Sequence, residues 1–150
     1  ELAAQINSEY SPQASEKGLA FNLDIGGRLG VVKVSRLYLE EILQNFITNA
    51  IRYTQKGSIT LSIKKNKSGE ITFKVIDTGI GISKADIAKI FDKFYRAEDY
   101  RTRETKGTGL GLYVSAKLAK KLGCKIEVES RLNHGSAFGF KLKEFKNNDK

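Results

Sequence analysis

The chain contains no tryptophan, no methionine, one cysteine, one proline and one histidine. The single Cys124 excludes an internal disulfide and a cysteine zinc site, and it fits a reducing compartment. The lone His134 cannot anchor a metal cluster. No apolar run approaches the ~20 residues that a membrane-spanning helix needs, and no signal-peptide pattern opens the chain. An aromatic-interleaved basic stripe is also missing. The formal charge of +9 permits an anionic partner such as a nucleotide phosphate. Its lysines are scattered among acids, however, and read mostly as solvated surface, so nucleic acid is not the expected partner.

What is present is one domain's worth of patterning. At 150 residues, 40% hydrophobic and 29% charged, the chain can bury a proper core. Glu1 to Lys17 places Leu2, Ile6 and Tyr10 at helical spacing, with Pro12 inside, where a bend or break is expected. The pattern opens abruptly, as at the trimmed end of a longer protein. Leu19 to Ile25 alternates like a strand, Gly26-Gly27 turns, and Leu29 to Val34 is expected as a second strand. Ser58 to Lys64 and Glu70 to Ile76 read as a hairpin around Lys65 to Gly69. Ser83 can cap a short helix with Asp86 at its third position. Ala97 to Lys106 is charged, lacks apolar periodicity and reads as a mobile loop. Leu110 to Leu122 is a helix closed by Gly123, and Lys125 to Glu129 and Ser136 to Leu142 are strands turned at Asn133-His134-Gly135. A frayed tail is expected from Lys146. This order argues an α/β (α+β) two-layer sandwich. Its sheet is mixed but mostly antiparallel, with about five to seven strands and about three helices on one face.

The stretch Ser35 to Thr54 organises the rest. Leu39, Ile42, Leu43, Phe46, Ile47, Ala50 and Ile51 recur at helical spacing, and Ser35 can cap the start. Asn45, Asn49 and Arg52 project from another side within a narrow arc, with Tyr53 at its edge. Asparagine competes for backbone groups in mid-helix, so two of them four apart ask for a reason. Alone they read sooner as a solvated polar face.

Two glycine stretches supply that reason. In Asp77-Thr78-Gly79-Ile80-Gly81-Ile82 the glycines free the backbone and clear side chains from a pocket wall. Asp77 can point an acceptor-only carboxylate into that pocket, which selects adenine's donor amine over guanine's oxygen. An ordinary β-turn has the same composition. Lys106-Gly107-Thr108-Gly109-Leu110-Gly111-Leu112 puts backbone N–H groups at a helix N-terminus, where an anion binds. It is neither the common phosphate-loop motif nor the dinucleotide one. A flexible linker would be expected to carry Ser and Asn rather than Leu110.

Taken together and in order, these motifs resemble the catalytic and ATP-binding domain of sensor histidine kinases, in the superfamily shared with gyrase, Hsp90 and MutL. Asn45-x-x-x-Asn49-Ala50-x-Arg52-Tyr53 resembles the N box, and Asp77-x-Gly79-x-Gly81-Ile82 the first glycine box. Phe91-Asp92-x-Phe94-Tyr95-Arg96 resembles the aromatic box. Gly107-x-Gly109-Leu110-Gly111-Leu112 resembles the second glycine box, and Gly135-Ser136-x-Phe138 the motif that closes the sheet. The match covers roughly residues 35 to 143. It implies a Bergerat-type fold at residues 18–145, with residues 1–17 as the end of a connecting helix from a missing dimerisation and phosphoacceptor hairpin.

The resemblance also implies roles. Asp77 would bind the adenine amine and Tyr53 would pack against the ring. Asn49, with Asn45, would hold Mg²⁺ through side-chain oxygens, which suit a hard ion. Arg52 would meet the phosphates, and Arg96 would reach the terminal one and stabilise transfer. Gly79, Gly81 and Ile82 would line the base, and Lys106 through Leu112 the triphosphate. Ala97 to Lys106 would be the ATP lid, where Arg101, Arg103 and Lys106 are candidates to contact phosphate and at least two of the three are expected to be solvated. The superfamily's hydrolases carry Glu where this chain has Asn45, and an amide cannot act as general base. The γ-phosphoryl of Mg-ATP is therefore expected to pass to a histidine outside this chain. His134 is a turn residue and not that acceptor. The usual Asp-Pro before the N-box helix is replaced by Val34-Ser35. The implied partners are the phosphoacceptor helix of the same or a sister protomer and a response regulator receiver domain. The isolated domain is expected to be a cytoplasmic monomer and the parent a homodimer that a membrane anchor could hold. The other readings are a serine kinase of the anti-sigma factor type and a non-catalytic adenine-nucleotide-binding module.

Overall fold

In a computed structural model, described at residues 1–93, 95 and 111–145, five strands form one mixed sheet and helices cover one of its faces. In chain order the elements are α1 (Leu2–Glu16), β1 (Ala20–Ile25), α2 (Arg36–Tyr53), β2 (Ser58–Lys65), β3 (Glu70–Asp77), α3 (Lys84–Ile87), α4 (Gly111–Leu122), β4 (Glu127–Arg131) and β5 (Gly135–Lys143). The strand order is β1-β2-β3-β5-β4. β1 and β2 pair parallel, Ala20 opposite Ser58, and every other pairing is antiparallel.

Alternation sets the faces. Ile59, Leu61 and Ile63 of β2, Ile71, Phe73 and Val75 of β3, and Phe138, Phe140 and Leu142 of β5 all point into the core. Onto them α2 lays Leu39, Ile42, Leu43, Phe46, Ile47 and Ala50, each buried. Phe46 meets Phe138 and Phe140 at ring-centroid distances of 5.5 and 6.2 Å, and Phe140 stacks on Phe73 at 5.1 Å. From α1, Ile6, Tyr10 and Ala14 join the same core.

Two sequence expectations need correction. The first helix runs through Pro12 unbroken. The carbonyl that Pro12 cannot serve belongs to Ser8, and both residues are exposed, so water can satisfy it. Burial of Ile6, Tyr10 and Ala14 on either side holds the helix together. The second correction concerns Leu29 to Val34, which is not a strand. Parallel pairing of β1 with β2 requires a crossover, and this segment carries the chain from β1 to α2. Positive φ at Arg28 (48°) and Gly30 (81°) breaks the extended path. Its apolar residues Leu29, Val32 and Val34 pack against the core as a loop.

Other boundaries move little. β4 begins two residues later than the alternation suggests, at Glu127. Ser83 caps α3, accepting from the Asp86 N–H at 3.2 Å while its hydroxyl donates to the Asp86 carboxylate at 3.0 Å. The Tyr95 hydroxyl bonds the other Asp86 oxygen, tying the aromatic segment to α3. The expected lid at residues 97–106 and the tail from residue 146 lie outside the described residues. Among the described residues no helix is long and apolar enough to cross a membrane.

Candidate functional site

Helix α2 meets its neighbours at two junctions, and the sequence-predicted residues that the structure describes lie at or beside them. At the C-terminal junction α2 ends at Tyr53, and Thr54 leaves in an extended conformation. The loop after β3 docks against this end, with the Ile80 N–H donating to the Tyr53 carbonyl at 3.2 Å. Gly79 makes that approach possible. A Cβ there would stand 2.5 Å from the Tyr53 carbonyl oxygen, 2.8 Å from Thr54 Oγ1 and 2.9 Å from Asp77 Oδ1. Any side chain would push the loop off the helix.

Asp77 is the last residue of β3, and Gly79 N–H donates to its Oδ1 at 2.8 Å. Burial raises the Asp77 carboxyl from 3.8 to about 6, partly offset by backbone hydrogen bonds from Gly79 and Ser136. Gly135 brings β5 across this point, since a Cβ on it would lie 2.1 Å from the Asp77 carbonyl oxygen. Gly81, at φ 71°, backs onto the β4–β5 turn with its missing Cβ 2.0 Å from the Arg131 carbonyl oxygen. The Ile82 N–H donates to Ser130 Oγ at 2.8 Å, and Ser130 in turn bonds the Gly135 carbonyl and Ser136 Oγ. The two glycines of the first box thus serve close backbone approach. His134 sits in that β4–β5 turn.

The second junction lies two turns earlier on α2. Asn45 Nδ2 donates to the Gly111 carbonyl at 3.3 Å and to Ser115 Oγ at 3.0 Å, both on α4. A carbonyl only accepts, so the amide orientation is fixed, with Oδ1 turned to the opposite side. Asn49 Oδ1 accepts from Arg52 Nη1 at 3.1 Å, and the Arg52 guanidinium lies 6.0 Å from the Tyr53 ring centroid. Leu112, the last residue of the second glycine box, packs against the core. Arg96, Lys106, Gly107, Thr108, Gly109 and Leu110 lie outside the described residues.

The donor set suits magnesium. Among the described residues no three His, Cys, Asp or Glu side chains come close enough to hold a metal. Asn45 Oδ1 is a neutral amide oxygen, and Asn49 Oδ1 serves as a second once the Arg52 guanidinium turns from it to a phosphate; two are too few for a dedicated cage. That fits a hard ion that arrives with phosphates and water as most of its ligands.

Three site-shaping residues were not legible as such. Ser115 is fully buried on α4 and fixes Asn45; a serine inside the apolar stripe of that helix was the available signal. Thr54 is fully buried, and its Oγ1 finds no hydrogen-bond partner among the described residues. In sequence it read only as the end of α2. Lys17 Nζ reaches the Ile51 and Arg52 carbonyls, and nothing local predicts it.

The family profile described as "Histidine kinase-, DNA gyrase B-, and HSP90-like ATPase" matches residues 35–146. The aerobic respiration control sensor protein ArcB of Escherichia coli K12 is 39% identical over 137 residues, which cover 90% of this chain and 18% of ArcB. Sensor protein SrrB of Staphylococcus aureus MRSA252 is 34% identical over 143 residues, 94% of this chain and 24% of SrrB. The chain therefore spans about a fifth of the length of such relatives. Among solved structures, full-length ShkA in complex with AMPPNP superposes with a TM-score of 0.83 at 30% identity, covering 94% of this chain and 29% of ShkA. The catalytic domain of histidine kinase ThkA, nucleotide free, superposes with a TM-score of 0.80 at 26% identity, covering 95% of this chain and 92% of that one.

Proposed function

Because the chain belongs to the histidine kinase-, DNA gyrase B- and HSP90-like ATPase family, we propose that it is the ATP-binding catalytic domain of a two-component sensor histidine kinase. It binds Mg-ATP and delivers the γ-phosphoryl to a histidine outside this chain. One observation carries the reading: α2 presents Asn45, Asn49, Arg52 and Tyr53 between the Asp77–Gly79 loop on one side and the start of α4 on the other. A buried acceptor-only carboxylate meets the adenine amine at one end, with Tyr53 against the ring. At the other end a guanidinium meets the phosphates, and the amide oxygens would hold the Mg²⁺ that the phosphates carry.

Bound Mg²⁺ supplies charge neutralisation on the phosphates through Asn49 and Asn45. Arg52 adds positive charge from the same helix. Phosphoryl transfer depends on positioning and charge neutralisation more than on covalent help. Arg96 reaches the terminal phosphate in this reading, and Lys106 through Leu112 line the triphosphate. Asn45 disfavours hydrolysis, because an amide cannot take a proton from water. Residues 1–17 act as the end of the helix that leads from a phosphoacceptor hairpin. The hairpin and a response regulator receiver domain are the partners, in a homodimeric parent whose kinase domain is cytoplasmic.

Calorimetry with Mg-ATP tests the site, and silence removes the reading. Combined with a histidine-bearing hairpin of this family and γ-labelled ATP, the chain should transfer label to the hairpin and leave its own His134 unlabelled. Asn49→Ala should abolish magnesium-dependent transfer in that assay; full transfer would place the metal elsewhere.

A further inference from the structure

Helix α2 ends without a cap of its own. An α-helix leaves its last four carbonyls without intrahelical partners, and glycine in the left-handed region is a frequent remedy. Here Thr54 follows instead, with φ −111°. The basic residue of the last turn, Arg52, turns its guanidinium back to Asn49. The cap comes from another helix. Lys17, immediately after α1, donates from Nζ to the Ile51 carbonyl at 2.7 Å and to the Arg52 carbonyl at 3.0 Å. Its ammonium also meets the negative end of the α2 dipole.

We propose that Lys17 is a positioning residue for the nucleotide site: by holding the Ile51 and Arg52 carbonyls it fixes the turn from which Arg52 and Asn49 face the phosphates. The proposal rests on the Mg-ATP reading above. It also assigns α1 a task. At its other end α1 is tied to α2 by Arg36, which bonds Glu1 and Gln5. The two helices thus lie side by side, linked start to start and end to end. The Arg36 contacts are exposed and contribute little. Beside the buried packing of Ile6, Tyr10 and Ala14, the half-buried Lys17 is therefore the polar tie through which a shift of α1 reaches the C-terminal turn of α2.

The cap acts on one end of the ligand. Asp77 stands on β3, and the Tyr53 carbonyl is held separately by the Ile80 N–H. Losing Lys17 should therefore spoil phosphate binding and spare the base. The experiment measures calorimetric affinities of wild type, Lys17→Met and Lys17→Gln for Mg-ATP and for adenosine. Lys17→Met should weaken Mg-ATP roughly tenfold and adenosine less than about twofold. Lys17→Gln, whose amide still donates, should fall between, and it carries the same comparison should Lys17→Met not fold. Unchanged Mg-ATP affinity overturns the role. Equal losses for both ligands overturn it too, because a merely loosened fold does not discriminate. Wild type that fails to bind Mg-ATP overturns the functional reading and this role together. Failure confined to the variants removes only the role of Lys17.

Discussion

The two junctions of α2 are built from different materials. At its C-terminal end, backbone meets backbone: the Gly79 loop touches the Tyr53 carbonyl and β5 crosses Asp77 at Gly135, with no room for one extra carbon at either place. In mid-helix a side chain does the joining: the Asn45 amide reaches α4, while the Arg52–Asn49 bond stays within α2. Backbone contacts of that kind have one solution and do not relax in steps. Side-chain hydrogen bonds can be traded for bonds to a ligand or to water. The chain therefore pairs a rigid wall with an exchangeable surface; in the proposed function the first would take the planar base and the second the phosphates and a hydrated ion.

Substitution at the rigid junction should have the largest effect. Gly79→Ala drives a methyl into the Tyr53 carbonyl, Thr54 Oγ1 and Asp77 Oδ1 at once. A loss of about 1–3 kcal/mol in urea unfolding is expected, with Mg-ATP binding lost alongside. Wild-type stability with intact binding would mean that the loop is not fixed at this contact.

Asp77→Asn separates binding from folding. The Asp77 carboxyl titrates near 6 in the fold against 3.8 ordinarily, so the folded state prefers the protonated form. That preference stabilises the fold fully below pH 3.8 and is lost as pH rises through about 6. Above pH 6 the buried charge costs up to about 3 kcal/mol. An amide with its oxygen at the Oδ1 position can accept the Gly79 N–H bond without that charge. Asp77→Asn should therefore be more stable than wild type at pH 8, and the gap should close toward pH 4. Its affinity for Mg-ATP should fall about a hundredfold, since an amide that keeps its oxygen on the Gly79 N–H carries a donor N–H₂ where the carboxylate had its second acceptor for the adenine amine. Equal pH profiles of unfolding would deny the burial cost. Wild-type affinity would deny Asp77 its part in base recognition.

Periodicity made most of the fold legible, because α2, β2, β3 and β5 each bury one face completely. It failed at Leu29 to Val34, where alternation belongs to a loop and the parallel pairing of β1 with β2 decides the path. Pro12 misled for the opposite reason: a local rule was overridden by burial on either side. At the site, Asp77 and the asparagines stood out because their residue types are costly where they occur. Lys17 and Ser115 did not. A lysine at a helix end is ordinary, and its reach to carbonyls 34 and 35 residues away exists only once α1 lies along α2.

Ser115→Ala gives the smallest effect and the finest test of the side-chain junction. The serine is fully buried, and its Oγ accepts from Asn45 Nδ2 at 3.0 Å. Alanine fits the same space, so packing barely changes. One amide hydrogen loses its acceptor, while the Gly111 carbonyl at 3.3 Å remains for Nδ2. The expected cost is about 1 kcal/mol in unfolding. Mg-ATP affinity should weaken by no more than about threefold, because Asn45 Oδ1 keeps its side of the amide as long as Gly111 holds the other. A loss as large as that for Gly79→Ala would mean that this junction is as unforgiving as the first, and that the division of α2 into a rigid end and an exchangeable middle is wrong.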